Sequence, residues 1–298
     1  MNNNSLKPRL PDFVIIGAMK SATSSLYDQL GRQPGIFMCT PKEPNFFSDA
    51  EQYIKGMSWY SSLFYEAPEG NLLGEASTHY TKLPTHRDTV HRLKEYLPEA
   101  RFIYVMRHPI DRLISHYIHE WSTGVYNCGL EDAIDKYPEL VSYGCYAMQL
   151  TPYLDTFGRF AVLPVFFDHL LRAPQEELER ICRFIGYQGQ PVWIQDLKPD
   201  NVSSDRIREF PGYQFLVESG PATWFRRHFI PQRWRDAVKM KLRMRERPVL
   251  SEKAKAGLEE EFNCDLEMLG KLLGVDLDCR NFKQVTSEKS LDWVDANA

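Results

Sequence analysis

The sequence contains no stretch approaching the ~20 consecutive apolar residues that a membrane-spanning helix needs. Its opening residues, Met1 to Pro11, are polar and lack the apolar region of a secretory signal. Six cysteines (Cys39, Cys128, Cys145, Cys182, Cys264 and Cys279) are scattered without a C-x-x-C pair, which suits neither a zinc site nor a disulfide scaffold and points to reduced thiols. Internal repeats and long linkers are missing as well. Charge of one sign is not in excess. Lys and Arg number 36 against 40 Asp and Glu, a formal charge of −4, which argues against a general nucleic-acid binder. These absences lead to the expectation of a soluble, cytoplasmic protein.

What is present is a globular composition. In 298 residues there are 17 Phe, 15 Tyr and 6 Trp, enough to build a substantial core and to exclude a disordered chain. The charge is unevenly placed: Arg226 to Arg247 holds nine Lys/Arg and two acids, leaving 27 basic against 38 acidic residues elsewhere, a net −11. Trp234, Val238 and Leu242 recur there about once per turn, so this segment reads as an amphipathic helix with a basic face. Both a solvated helix packed on the domain and a contact with an anionic polysaccharide or membrane surface fit it.

Short apolar runs alternate with helical stretches along the chain. Phe13–Gly17, Ile36–Cys39, Asn71–Glu75, Arg101–Met106 and Phe160–Phe167 read as strands. Helices are expected from Thr23 through Leu30 and over Thr85–Tyr96, Ile110–Trp121, Tyr146–Phe157 and Pro174–Ile185, with one or two more on the outside over Ser251–Leu273. This order indicates an α/β chain with a mainly parallel sheet, in which ligands bind beyond the carboxyl ends of the strands. The chain reads as one domain, with a loose tail over 1–11, a core over 12–187 and a helical C-terminal region over 188–298.

Two segments at strand ends point to phosphate. Gly17 to Ser25 runs from strand through small residues into a helix, a geometry that aims backbone N–H groups and the helix dipole at one point. Lys20 adds charge; Ser21, Thr23, Ser24 and Ser25 add hydroxyls around Ala22. The loop is not a Walker A motif, because Ala22 and Thr23 stand where Gly and Lys are required. A hydroxyl-rich helix start that binds nothing fits the same residues. The second segment is Arg107-His108-Pro109-Ile110-Asp111-Arg112-Leu113-Ile114-Ser115-His116-Tyr117, in which an arginine and a serine can converge on one phosphate. Two phosphate sites imply a ligand with phosphates at two places.

With both segments in order, the chain resembles the sulfotransferases that use 3′-phosphoadenosine 5′-phosphosulfate, in particular the heparan-sulfate branch and its bacterial relatives. Lys42-Glu43-Pro44-Asn45-Phe46-Phe47, Gly74-Glu75-Ala76-Ser77-Thr78-His79-Tyr80 and Gly144-Cys145-Tyr146 resemble further segments of that branch. The likeness spans about residues 12 to 187. It implies a single three-layer, P-loop-like α/β domain whose first loop holds the 5′-phosphosulfate and whose Arg107 and Ser115 hold the 3′-phosphate. It also implies Glu75 as general base, Lys20 as the stabiliser of the transferred charge, and Lys42 as a group reaching the sulfuryl or an anionic acceptor. His79 is the rival base. The acceptor is expected to be a carbohydrate or other small metabolite. Trp59, Tyr60, Phe64 and Trp121 are candidates for its cleft or, equally, for the core.

The sequence departs from that branch in two respects. Ala76 replaces a lysine after the glutamate, and the late basic adenosine loop has no clear match, with Asn201–Arg206 in a comparable position. No metal is expected, since no paired His/Asp cluster appears in the sequence. A nucleotide kinase or NTPase, or a non-catalytic nucleotide-binding module, are the alternatives of other classes.

Overall fold

The computed structural model describes residues 9–195, 197 and 247–294. Asn201–Arg206 and all of the basic segment except Arg247 lie outside the described residues. Five strands, β1 (Phe13–Gly17), β2 (Ile36–Met38), β3 (Leu72–Ala76), β4 (Arg101–Met106) and β5 (Val162–Phe166), form one parallel sheet in the order β2-β3-β1-β4-β5. Twelve α-helices accompany them among the described residues: α1 (Thr23–Gly31), α2 (Ala50–Tyr53), α3 (Gly56–Ser62), α4 (Thr89–Tyr96), α5 (Pro109–Ser122), α6 (Leu130–Lys136), α7 (Glu139–Ser142), α8 (Tyr146–Phe157), α9 (Phe167–Arg172), α10 (Pro174–Ile185), α11 (Glu252–Leu273) and α12 (Phe282–Glu288).

The central strand explains the layering. All five residues of β1 are buried, as expected of a parallel strand covered on both faces. Phe13 and Ile15 face one layer, where Leu26 and Leu30 of α1 and Leu178 and Ile181 of α10 pack. Val14 and Ile16 face the other, with Leu93 of α4, Leu113 of α5, Leu150 of α8 and Phe262 of α11. Each fully buried Leu or Phe side chain contributes about 1.5–3 kcal/mol, so both layers are needed to hold the sheet. The strand expectations hold to within a residue or two at each end. The expectation for Ser251–Leu273 needs correcting: it is one helix, and it belongs to the core, since Leu258, Phe262, Leu266 and Leu269 are all buried.

That helix also completes another. The first residues of α8 receive no cap from Cys145, the residue before them. The Asp265 carboxylate, on α11, accepts hydrogen bonds from the backbone N–H groups of Ala147 and Met148, both at 2.9 Å. It thereby satisfies donors that a helix start leaves unpaired and sits favourably at the positive end of the helix dipole. Asp265→Ala leaves two helix-start donors without partners, that of Ala147 buried, and is expected to lower stability by about 1–3 kcal/mol. Urea denaturation of the two chains side by side tests this; an unchanged midpoint would show that the cap is redundant.

Candidate active site

The expected site segments leave the sheet at one edge. The first loop follows β1, Lys42 follows β2, Ser77 to Thr81 follow β3 and Arg107 follows β4. β1 lies between β3 and β4, and the chain turns to β2 on one side and to β5 on the other, so the loop after β1 sits where strand order reverses. A cleft of about 580 Å³, lined by Leu10, Asp12, Leu72, Pro98, Arg101 and Ile185, opens near the amino ends of the strands, away from these loops.

The register slips by one residue between Ile15 and Gly17, so that Gly17 pairs with Tyr104. Such an irregularity re-aims the chain at a strand end. A Cβ at Gly17 would run into the Thr81 hydroxyl and the Tyr104 ring, and Thr81 Oγ1 itself donates to the Ile16 carbonyl at 2.6 Å. Only glycine admits that approach. Beyond it Lys20 and Ala22 both take left-handed backbone conformations, with φ of 70° and 65°. Alternating handedness of this kind turns successive N–H groups toward a common concavity. Ala22 opens α1 without a side-chain cap, and the buried Ser21 Oγ makes no hydrogen bond of ordinary geometry. The first turn of α1, with Thr23, Ser24 and Ser25, therefore offers donors to an anion from outside.

Two cations flank this loop. Lys42 Nζ donates to Ser24 Oγ at 2.7 Å and lies 3.2 Å from Glu43 Oε1. Its segment is tied to β3 by the Glu43 N–H, which donates to the Ala76 carbonyl at 2.9 Å. Arg107, from the neighbouring strand, donates through Nη1 to the Lys20 carbonyl at 3.4 Å and lies over the Phe167 ring at 4.8 Å. Burial draws its guanidinium below the usual value, and its Nε is buried without a partner. Tyr146 holds the Arg107 backbone from both sides: its hydroxyl donates to the Arg107 carbonyl and accepts from the Arg107 N–H.

Not every residue of the second segment serves the site. Arg112 is fully buried and donates to the Leu140 carbonyl, tying α5 to α7. Tyr117 donates to the Cys128 carbonyl at 2.8 Å. Ser115 is buried in α5, two turns beyond Arg107. Additional charges gather from the C-terminal region: Lys283 of α12 and Arg247 pair with Asp111 at 2.6 and 3.7 Å, close to Arg107. The spacing of the sequence gave no sign of them.

Glu75 is enclosed. It has no solvent exposure; Ser77 Oγ donates to its Oε1 at 2.6 Å and the Tyr60 hydroxyl donates to its Oε2. Tyr60 stacks on Phe46 at 4.7 Å, and Phe47 N–H donates to the Tyr80 hydroxyl at 3.3 Å. The two phenylalanines thus build the wall around the carboxylate. Burial raises the Glu75 pKa, with the hydroxyl donors opposing it. Of the aromatics considered for a cleft, Tyr60 and Phe64 are core residues, whereas Trp59 and Trp121 are half-buried. His79 turns away from this carboxylate and pairs with Asp49, its Nδ1 2.9 Å from Oδ1.

With this geometry in place, the chain can be set beside known proteins. Residues 50–191 match the model of the sulfotransferase family. Heparan sulfate glucosamine 3-O-sulfotransferase 3A1 of Mus musculus is 28% identical over 187 residues, 60% of this chain and 46% of the relative. Over that stretch the chain is similar to the sulfotransferase family. The membrane-associated sulfotransferase kil1 of Dictyostelium discoideum is 36% identical over 111 residues, 36% of this chain and 22% of that one. The chain thus spans less than half the length of these curated sulfotransferases. Among solved structures, the sulfotransferase of Alicyclobacillus acidocaldarius shares the fold, with a TM-score of 0.62 at 22% identity, covering 90% of this chain and 98% of the other. The proteins it resembles are sulfotransferases, which are enzymes.

The enclosed carboxylate has a consequence for stability. An acid whose pKa is raised on folding binds its proton more tightly in the native state, so stability falls as pH rises from the unfolded value near 4.5 through the raised native value. Glu75→Gln removes that dependence. Chemical denaturation at pH 5 and pH 8 should show the wild type losing more stability than the variant over this interval. Equal losses would mean that Glu75 is not raised.

Proposed function

We propose that this enzyme moves the sulfuryl group of 3′-phosphoadenosine 5′-phosphosulfate to a hydroxyl, or an amine, of a carbohydrate or other metabolite. The observation that carries this reading is the contact between the two anion-binding segments, Arg107 reaching the Lys20 carbonyl from the adjacent strand end. One ligand with phosphates at two positions would engage both. The donor supplies an activated sulfur, and its bridging S–O bond breaks with the electron pair leaving on the phosphate as the acceptor oxygen or nitrogen bonds to sulfur.

The residues divide this work by position. Ser21, Thr23, Ser24 and Ser25, with the backbone amides around Ala22, hold the 5′-phosphate at the start of α1, while Arg107 and Ser115 hold the 3′-phosphate. Lys20 stabilises charge on the sulfuryl oxygens and the departing phosphate, where fixed cations act most strongly. Lys42, bonded to Ser24 Oγ, stands at the same loop to meet the transferred group or an anionic acceptor. Glu75 takes the acceptor proton, and burial, which raises its pKa, makes it a stronger base than an exposed carboxylate. Each of its oxygens accepts from a hydroxyl and keeps a further lone pair for an acceptor proton, so entry requires the enclosing side chains to part. A carbohydrate acceptor is supported by the heparan sulfate glucosamine named for the mouse relative. All six cysteines are free, which supports a reducing, cytoplasmic setting.

Loss of a buried charge-assisted pair costs about 2–5 kcal/mol, so Arg107→Ala should weaken adenosine 3′,5′-bisphosphate binding at least about tenfold. AMP, lacking the 3′-phosphate, should be barely affected. Calorimetric titration with both nucleotides tests this, and equal losses would remove Arg107 from the 3′-phosphate.

A positioned base contributes about 10²–10⁴-fold, so Glu75→Gln should lower turnover by that order at nearly unchanged bisphosphate affinity. Lys20→Ala should harm turnover and donor binding together. Near-normal turnover in the Glu75 variant would transfer the base role to another group.

A further inference from the structure

Asp49, His79 and His86 are widely spaced in the chain and meet at one point. Nδ1 of His79 lies 2.9 Å from Oδ1 of Asp49, and Nδ1 of His86 lies 3.8 Å from the same oxygen. The two imidazoles stack with centroids 5.1 Å apart and planes 19° apart. One ligand-capable atom of each residue lies within 4.8 Å of the others. The three are half-buried, between the loop before α2, the 3-10 turn Thr78–Thr81 and the start of α4. The transfer chemistry described above makes no use of them.

We propose that Asp49, His79 and His86 form a binding site for a divalent transition-metal ion of the zinc type. Two imidazole nitrogens and one carboxylate oxygen are a zinc donor set that leaves a fourth position open to water. With metal–ligand bonds of about 2.0–2.1 Å, tetrahedral donors stand about 3.4 Å apart. The His79–Asp49 pair has to open, and the His86–Asp49 pair to close, by about half an ångström each to reach that spacing. A proton shared with Asp49 bridges His79 at 2.9 Å but not His86 at 3.8 Å, which reaches the Ser48 backbone instead; a metal ion would engage both imidazoles at Asp49. Burial and the neighbouring His79 hold the His86 pKa below its usual value, keeping a lone pair available for ligation. Lys82 is within electrostatic reach of Asp49 and His86 and works against a cation, but burial lowers its own pKa.

The ion would act as a clip. Asp49 continues the segment that carries Lys42 and Glu43, and His79 continues the one that carries Glu75. Fixing the first to the second sets the separation of Lys42 from Glu75 without placing the ion in the transfer reaction. Sequence reading missed the cluster because its members become neighbours only when the segments after β2 and β3 fold together.

The test is a titration of the chelator-treated, dialysed 298-residue chain with Zn²⁺ by calorimetry, and with Co²⁺ by visible absorption. The expected result is one saturable equivalent at micromolar metal or below, with cobalt bands of nitrogen and oxygen ligation. Loss of an outer-sphere partner alone costs about 10–100-fold in metal affinity, so His86→Gln and Asp49→Asn should each weaken binding at least about tenfold. Far-UV circular dichroism and metal-free melting temperatures establish that the variants fold. Should either variant fail to fold, the wild-type titration and a zinc-induced rise in its melting temperature still decide. Absence of saturable binding overturns the proposal. So does binding that survives both substitutions, or a thiolate-to-cobalt band placing the ion on the free cysteines.

Discussion

Hydrogen bonding of β1 to β3 on one side and to β4 on the other is the constraint that gathers the site. It sets Val14 beside Glu75 and Gly17 beside Tyr104, so the phosphate-type loop, the enclosed carboxylate and Arg107 emerge within one strand spacing of each other. Neighbouring strands lie about 4.8 Å apart, which is a good match to the reach of a single side chain. Nothing in the loop itself would suffice. Lys20 and Ala22 hold left-handed backbone because the segments on either side are fixed, one by the sheet and the other by α1.

The polar groups taken into the interior mark where function sets requirements that packing alone would not. Glu75 and Arg112 are both without exposure, yet they meet burial in different ways. Arg112 has a backbone carbonyl and a histidine within reach and ties helices together. Glu75 is ringed by hydroxyls, groups that can donate to a carboxylate and can also exchange for an incoming alcohol. A wall of Phe46, Phe47, Tyr60 and Tyr80 keeps water from the carboxylate until those side chains part. In a low-dielectric surround a proton transfer to this group is governed by fixed neighbours and little by bulk solvent.

The five strands were legible in the sequence because each is a short apolar run ending in glycine or a polar motif, and a parallel sheet needs both faces apolar. The long helices were legible from their periodicity, and the loop after β1 from its small residues. The one- and two-turn helices α2, α3, α6, α7, α9 and α12 were not, since they are too short to show a period. Pairings across the fold were hidden for a different reason. Tyr60 reaches Glu75 over 15 positions and Tyr146 reaches Arg107 over 39, and no local pattern encodes which partner a buried hydroxyl will find. In the second segment only Arg107 and Ser115 were read as functional; Arg112 and Tyr117 brace α5, and no spacing told the two kinds apart.

Asp265 gives α11 a bearing on the end of the sheet where Arg107 lies. It caps α8; the first residue of α8 is Tyr146; and Tyr146 grips the backbone of Arg107. A chain cut after residue 191, where the likeness to the family model ends, would keep all five strands and every catalytic candidate. It would still release the start of α8, and with it the residue that sets the guanidinium in place. The shortest fragment that keeps Arg107 in place is therefore longer than the one that carries the family signature.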